Sequence, residues 1–169
     1  TTYYYRIVSA IEGFSANLTG TQATPAATTY YYVGAGGTLW SAAASWNTAA
    51  DGSGTNRTTP TTTDILVVDG TGTVPGSGGA MAITVDNSFT IGQLVVNSNT
   101  DLTLAGLTST RTLTISGSPG DDFVVASGST LNLNGATAVA IVFTGTGNTG
   151  LIAGTYNVSG STSNNVTST

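Results

Sequence analysis

Few residues in this chain are of a type and spacing that could do chemistry. Asp121-Asp122 follows Ser118-Pro119-Gly120, and paired carboxylates can bind Ca²⁺, which takes about six to eight oxygens. Neither a Gly-Gly-x-Gly-x-Asp repeat nor an EF-hand loop accompanies the pair. It reads as a solvated turn, and no metal site is assigned. Asp64 and Asp69 flank one apolar block. Their odd separation sends them to opposite sides of a regular strand, whereas a glycosidase dyad must converge across a cleft. No catalytic residue is assigned, no cofactor is expected, and the chain does not read as an enzyme.

The aromatic residues offer a different chemistry. Trp40 and Trp46, with the run Tyr30-Tyr31-Tyr32, could form a face on which saccharide rings stack, with Trp40, Trp46 and Tyr31 as the contact residues. The competing reading makes both indoles a cover for the end of a repetitive β structure, since terminal repeats need a cap. The cap is favoured. Four Asn-x-Ser/Thr triplets, at Asn17, Asn56, Asn157 and Asn165, are expected by chance in so Asn- and Thr-rich a sequence.

Composition narrows the field further. The 169 residues include 3 Lys+Arg and 8 Asp+Glu, a net charge of -5, with 7% charged residues; about 25% is usual. All three cations are Arg, and there is no His and no Cys. That removes Cys/His metal sites, disulfides and His-dependent nucleophilic catalysis. Three scattered Arg cannot track phosphates, so nucleic acid is a poor partner. The apolar runs are too short for a membrane-spanning helix. Thr makes up roughly a fifth of the chain, far above average usage.

The elements that must position these residues are short strands. Thr and β-branched residues favour strands, and Gly, Asn, Asp and Ser form corners. Blocks such as Asp64 to Asp69, Ile83 to Val85, Ile91 to Val96, Leu102 to Leu104, Leu113 to Ile115, Phe123 to Val125, Leu131 to Leu133 and Val139 to Phe143 are separated by such residues. No apolar helical periodicity appears. Leu94, Leu113, Leu131 and Leu151 recur at similar intervals in related words, within the range of solenoid repeats. The fold expected is all-β: a right-handed β-solenoid, parallel β-helix-like, with the four leucines stacked in one buried column. An antiparallel β-sandwich is the alternative.

Two segments are expected. Residues 1–27 carry strands with a period of two, Tyr3, Tyr5 and Ile7 alternating with Tyr4, Arg6 and Val8, then a Pro25-Ala26-Ala27 linker. Thr2 to Ala10 and Ser15-Ala16-Asn17 resemble the last two strands of a fibronectin type III domain. A hairpin of that kind cannot close a sandwich alone, so the chain is expected to be a processed product or a part of something larger. Residues 28–169 form the second segment, a Thr/Asn/Gly-rich body with a Trp-containing cap. Its words Trp40-Ser41, Ser45-Trp46-Asn47, Pro60 and Asp64 to Val68, followed by Leu-Thr-Ile and Leu-Asn-Leu blocks, resemble modules of large secreted or surface proteins of Bacteroidetes-type bacteria. The resemblance implies surface display, adhesion or a structural role.

The function expected is therefore that of an extracellular structural protein, the subunit of a β-rich filament or surface layer. Its partners would be copies of itself, arranged head to tail. Tyr3, Tyr5 and Ile7 would be the polymerisation segment, adding a strand to a neighbour. The alternative is a carbohydrate- or surface-binding adhesin module.

Overall fold

The computed structural model describes residues 2–7, 18–23, 26–34, 38–69, 80–133, 135–145, 147–158 and 166–168. The chain is all-β. Strands β1 (Thr2–Ile7) and β2 (Leu18–Ala23) pair antiparallel, Tyr3 opposite Gln22 and Ile7 opposite Leu18, as a two-stranded sheet of their own. β3 (Thr29–Tyr32) leads, through a 3-10 turn at Ala43–Ser45, to β4 (Trp46–Asn47). Then follow β5 (Ile65–Asp69), β6 (Ala80–Val85), β7 (Phe89–Ile91), β8 (Gln93–Asn97), β9 (Asp101–Gly106) and β10 (Arg111–Ile115). The last are β11 (Phe123–Val125), β12 (Thr130–Asn132), β13 (Val139–Phe143), β14 (Gly150–Ile152), β15 (Thr155–Asn157) and β16 (Val166–Ser168).

From β5 onward the chain visits three sheets in rotation. The first sheet runs β14-β11-β8-β5-β3-β4, the second β15-β12-β9-β6 and the third β16-β13-β10-β7. Every pairing among β5 to β16 is parallel, which excludes the antiparallel sandwich for this region. Within the first sheet, β3 pairs parallel to β5 and antiparallel to β4.

The alternation of the sequence sorts each strand into a buried and an outer side. In β9, Leu102, Leu104 and Gly106 are buried while Asp101, Thr103 and Ala105 are not. The inward residues of all three sheets form one core, from Trp40 and Trp46 through Leu66, Ile83, Ile91 and Leu94 to Leu131 and Ile141. Burying each such aliphatic side chain contributes about 1.5–3 kcal/mol, and successive circuits repeat the contact. Columns form because in-register parallel strands place like positions one above another.

The leucine column expected from the sequence is not present. Leu94 lies in the first sheet, Leu113 in the third, Leu131 in the second, and Leu151 on the outer side of the first. The actual columns are Leu66–Leu94–Phe123–Gly150, Met81–Leu102–Leu131–Tyr156 and Phe89–Leu113–Ile141–Val166. A circuit spans 21 residues from Met81 to Leu102 and 29 from Leu94 to Phe123. The spacing of the four leucines falls short of most circuits, so each successive leucine lands on a different sheet.

Corners explain why the expected Ile91 to Val96 block is two strands. Gly92 turns the chain from the third sheet into the first, its N–H donating to the Asp64 carbonyl at 2.9 Å. A Cβ there would sit 2.6 Å from the Thr63 carbonyl oxygen, so only glycine allows this approach. Between β8 and β9 the corner is made by Ser98 (φ 55°) and Asn99 (φ 63°), left-handed conformations that Asn adopts more readily than most residues. Thr100 closes it, N–H and Oγ1 both donating to the Asn97 carbonyl at 3.2 and 2.7 Å.

Candidate functional site

The two ends of the three-sheet body differ, and that difference is the main feature of the molecule. At the β3–β4 end backbone pairing covers the first sheet and part of the second, while β7 of the third is paired on one side only among the described residues. β4 pairs antiparallel with β3, and Asn47 bridges to Asn56 beyond it. Leu39 bridges to Thr84 on β6, with Trp40 N–H on the Thr84 carbonyl and Thr84 N–H on the Thr38 carbonyl, both 2.8 Å. Trp40 and Trp46 plug the core beneath. Their rings meet edge-on with centroids 5.0 Å apart, and Trp46 Nε1 donates to the Trp40 carbonyl at 2.8 Å. Tyr32 packs edge-on against Trp46, and Phe89 stacks on Trp40.

An ion pair locks this end. Arg57 Nε donates to Asp64 Oδ2 at 2.7 Å, and both side chains are buried. Asp64 also accepts from Thr61 N–H at 2.9 Å and from Thr61 Oγ1 at 2.6 Å. The Arg57 guanidinium lies 5.9 Å from the centre of the Tyr30 ring. The adjoining loop is tied to later circuits by Ser116 Oγ on the Thr62 carbonyl and Ser118 Oγ on the Thr63 carbonyl, at 2.6 and 3.2 Å.

At the other end the sheets finish on β14, β15 and β16, each paired on one side only among the described residues. Ile152 continues the inward column of Val68, Val96 and Val125. Those three are 0% exposed, yet Ile152 is 52% exposed. Leu151 beside it is 50% exposed, and Val158 is exposed too. Gly150 adds no side chain above Phe123. Phe143 and Tyr156 meet the Phe123 ring edge-on, both at 5.8 Å. The Tyr156 hydroxyl is buried without a hydrogen-bond partner among the described residues, and burial pushes its pKa up to about 12.

The residues of the less favoured, sugar-stacking reading are not gathered on a surface. Trp40 and Trp46 are sealed in the core, so neither ring has a face to offer a saccharide; Tyr30, Tyr31 and Tyr32 are all partly exposed. The strand period splits the three: Tyr30 and Tyr32 pack on the core, and Tyr31 points away between them. Asp121 and Asp122 also separate. Asp121 is exposed, while Asp122 is buried and accepts from Ser118 N–H (2.8 Å) and Thr149 N–H (3.0 Å). Both its oxygens are used in holding a corner. Asp64 and Asp69 do not converge across a cleft, since Asp64 is committed to Arg57 and Thr61. Among the described residues no group of three or more metal-ligating side chains occurs. For Tyr3, Tyr5 and Ile7 the backbone is described in β1, and their side chains lie outside the described residues.

The chain matches no family model, no curated protein and no solved structure. Among the described residues, no helix is long and apolar enough to cross a membrane.

Sequence reasoning missed two features. One is the Arg57–Asp64 pair, for which Arg57 being one of three cations in the chain was an available signal. The other is a ladder on the outer side of the second sheet. Asn157 Nδ2 donates to Asn132 Oδ1 at 2.8 Å, and Asn132 Nδ2 to Asp101 Oδ1 at 2.7 Å. The words Asp-Leu-Thr, Thr-Leu-Asn and Thr-Tyr-Asn carry it, and are recognisable only once their register is known.

Proposed function

We propose that the three sheets are the faces of a β-solenoid, right-handed as nearly all parallel crossovers are, and that the protein is an extracellular structural protein. In this reading it is the subunit of a β-rich filament or surface layer and has no catalytic role. The observation that carries the reading is the asymmetry of the body. At one end β4 and the Leu39–Thr84 bridge cover edges of two sheets and two indoles plug the core, and the other finishes, among the described residues, on three edge strands beside exposed Leu151 and Ile152. An exposed edge is a template for another strand. β1 and β2 belong to none of the three sheets, and a two-stranded sheet is marginal alone. Strand addition between copies satisfies both. A contact between two different surfaces repeats into an open filament unless its rotation closes a ring.

Composition supports the same role. A chain with 7% charged residues carries little repulsion between packed copies. Outer Thr and Asn ladders suit stacked strands. Absence of Cys and Lys removes the most reactive side chains, as suits an exposed scaffold.

The test is negative-stain microscopy with light scattering on the full chain over a range of concentrations. Filaments or sheets that lengthen with concentration are expected. A monomer at every concentration overturns the proposal.

A further inference from the structure

We propose that the acceptor for strand addition is the free edge of β14, and that the strand which fills it is β1 of a second copy, parallel, with Tyr5 over Gly150 and Ile7 over Ile152. This rests on the filament reading above and goes further, to one edge and one register.

Three edges are open at this end, and they are not equivalent. β14 exposes all three of its residues. In β15, the inward residue Tyr156 is half-buried and packs on the core, and its neighbours Thr155 and Asn157 are exposed polar groups. Of these two edges the deficit in apolar cover is therefore greater at β14. Its inward positions are Gly150, above Phe123, and Ile152, above Val125. An incoming strand must put something large over the glycine and an aliphatic residue over Ile152, since cores pack large against small to native density.

At the opposite end of another copy the first sheet, the one that would continue β14, finishes on β4, whose pairing with β3 and Asn47–Asn56 bridge already occupy it. There β6 carries the Leu39–Thr84 bridge, and β7, paired on one side only among the described residues, continues the third sheet and not the first. Of the described strands, only β1 and β2 stand outside the three sheets, and each has one unpaired edge. Their sequences separate them. β1 reads TYYYRI, whose alternation puts Tyr3, Tyr5 and Ile7 on one face. β2 reads LTGTQA, which alternates no comparable apolar set. In a parallel pairing, the mode of every contact from β5 onward, Tyr5 falls on Gly150, Arg6 on Leu151 and Ile7 on Ile152. Arg6 and Leu151 then share the outer side.

The absence of Cys makes the register directly testable by disulfide trapping. Paired strands lie about 4.8 Å apart, within the roughly 4.4–6.8 Å Cα separation that a disulfide spans. Full-length R6C would be mixed with mass-tagged L151C, T155C or T103C and oxidised, with circular dichroism verifying that each variant is folded. The mixed dimer is expected with L151C, and only background with T155C on β15 or T103C on the outer side of the second sheet. Filaments that trap at T155C, or at all three positions equally, overturn the β14 register and leave the filament reading standing. Monomers throughout, with no mixed dimer, overturn both.

Discussion

Arg57 and Asp64 face each other at 2.7 Å with their side chains 4% and 2% exposed, one of very few charge pairs a chain with 3 cations can make. Arg57 N–H also donates to the Trp46 carbonyl at 3.0 Å, which makes the pair a clasp of the β3–β4 end. Arg57→Met would leave the Asp64 carboxylate buried, with only its two Thr61 bonds. A loss of about 3–5 kcal/mol is expected, as for other broken buried pairs. The double variant R57M/D64L should recover much of it. Urea unfolding measures both, and a loss below about 1 kcal/mol for R57M would mean that the pair acts like a solvent-exposed one.

The strand period makes neighbouring valines respond oppositely. Val125 is buried in the column with Val96, and Val124 lies on the outer side, partly exposed. V125D buries an unpaired charge and should cost several kcal/mol, enough to unfold a domain of ordinary stability. V124D should cost about 1 kcal/mol or less. Thermal melts of the two variants decide this, and equal sensitivity would contradict the inward and outward assignment of the first sheet.

Alkaline titration reports on the open end. Tyr156 keeps its proton in the fold up to about 12 because burial disfavours the phenolate, whereas in the unfolded chain an ordinary tyrosine loses it near about 10. The unfolded state thus binds fewer protons between these values, and stability falls as pH rises through that window. It is fully present below about 10. Tyr156→Phe should lessen that fall. At neutral pH it should be neutral or slightly stabilising, since the hydroxyl makes no hydrogen bond among the described residues. Denaturation midpoints at pH 8 and 11 would show an unchanged alkaline slope in Y156F if Tyr156 were not its source.

The amide ladder should be modest in energy and sensitive to charge. Asn132 both donates to Asp101 and accepts from Asn157. N132A is expected to cost about 0.5–1.5 kcal/mol. N132D sets a second carboxylate against Asp101, so it should be less stable than N132A at pH 7. An N132D chain as stable as the parent at pH 7 would show that the ladder contributes nothing.

Chelation should not move the melting temperature. Asp122 spends both oxygens on backbone N–H groups, and a cation bound to the native state alone would raise stability by mass action. A drop of several degrees with EDTA would point to a site built around Asp121 and Asp122.

Sequence alone determined the all-β class and the position of most strands. Thr, Val, Ile and Leu in short blocks, with Gly, Asn and Ser between them, encode extended segments and corners locally. The same alternation let Tyr31 be separated from Tyr30 and Tyr32 once the core side was known. Which strand lies beside which was decided by the tertiary structure. Leu94, Leu113 and Leu131 look like one repeat, yet corners of unequal length place them on three sheets, because the spacing in sequence counts residues and not turns of the path. Gly92 splits an apparent single strand because of a close approach by Thr63, a residue far back in the chain. The burial of Trp40 and Trp46 was decided in the same way. A tryptophan has the same sequence signature whether it stacks on a ligand or plugs a core, and only the arrival of β3, β4 and β6 around the two rings made them the plug.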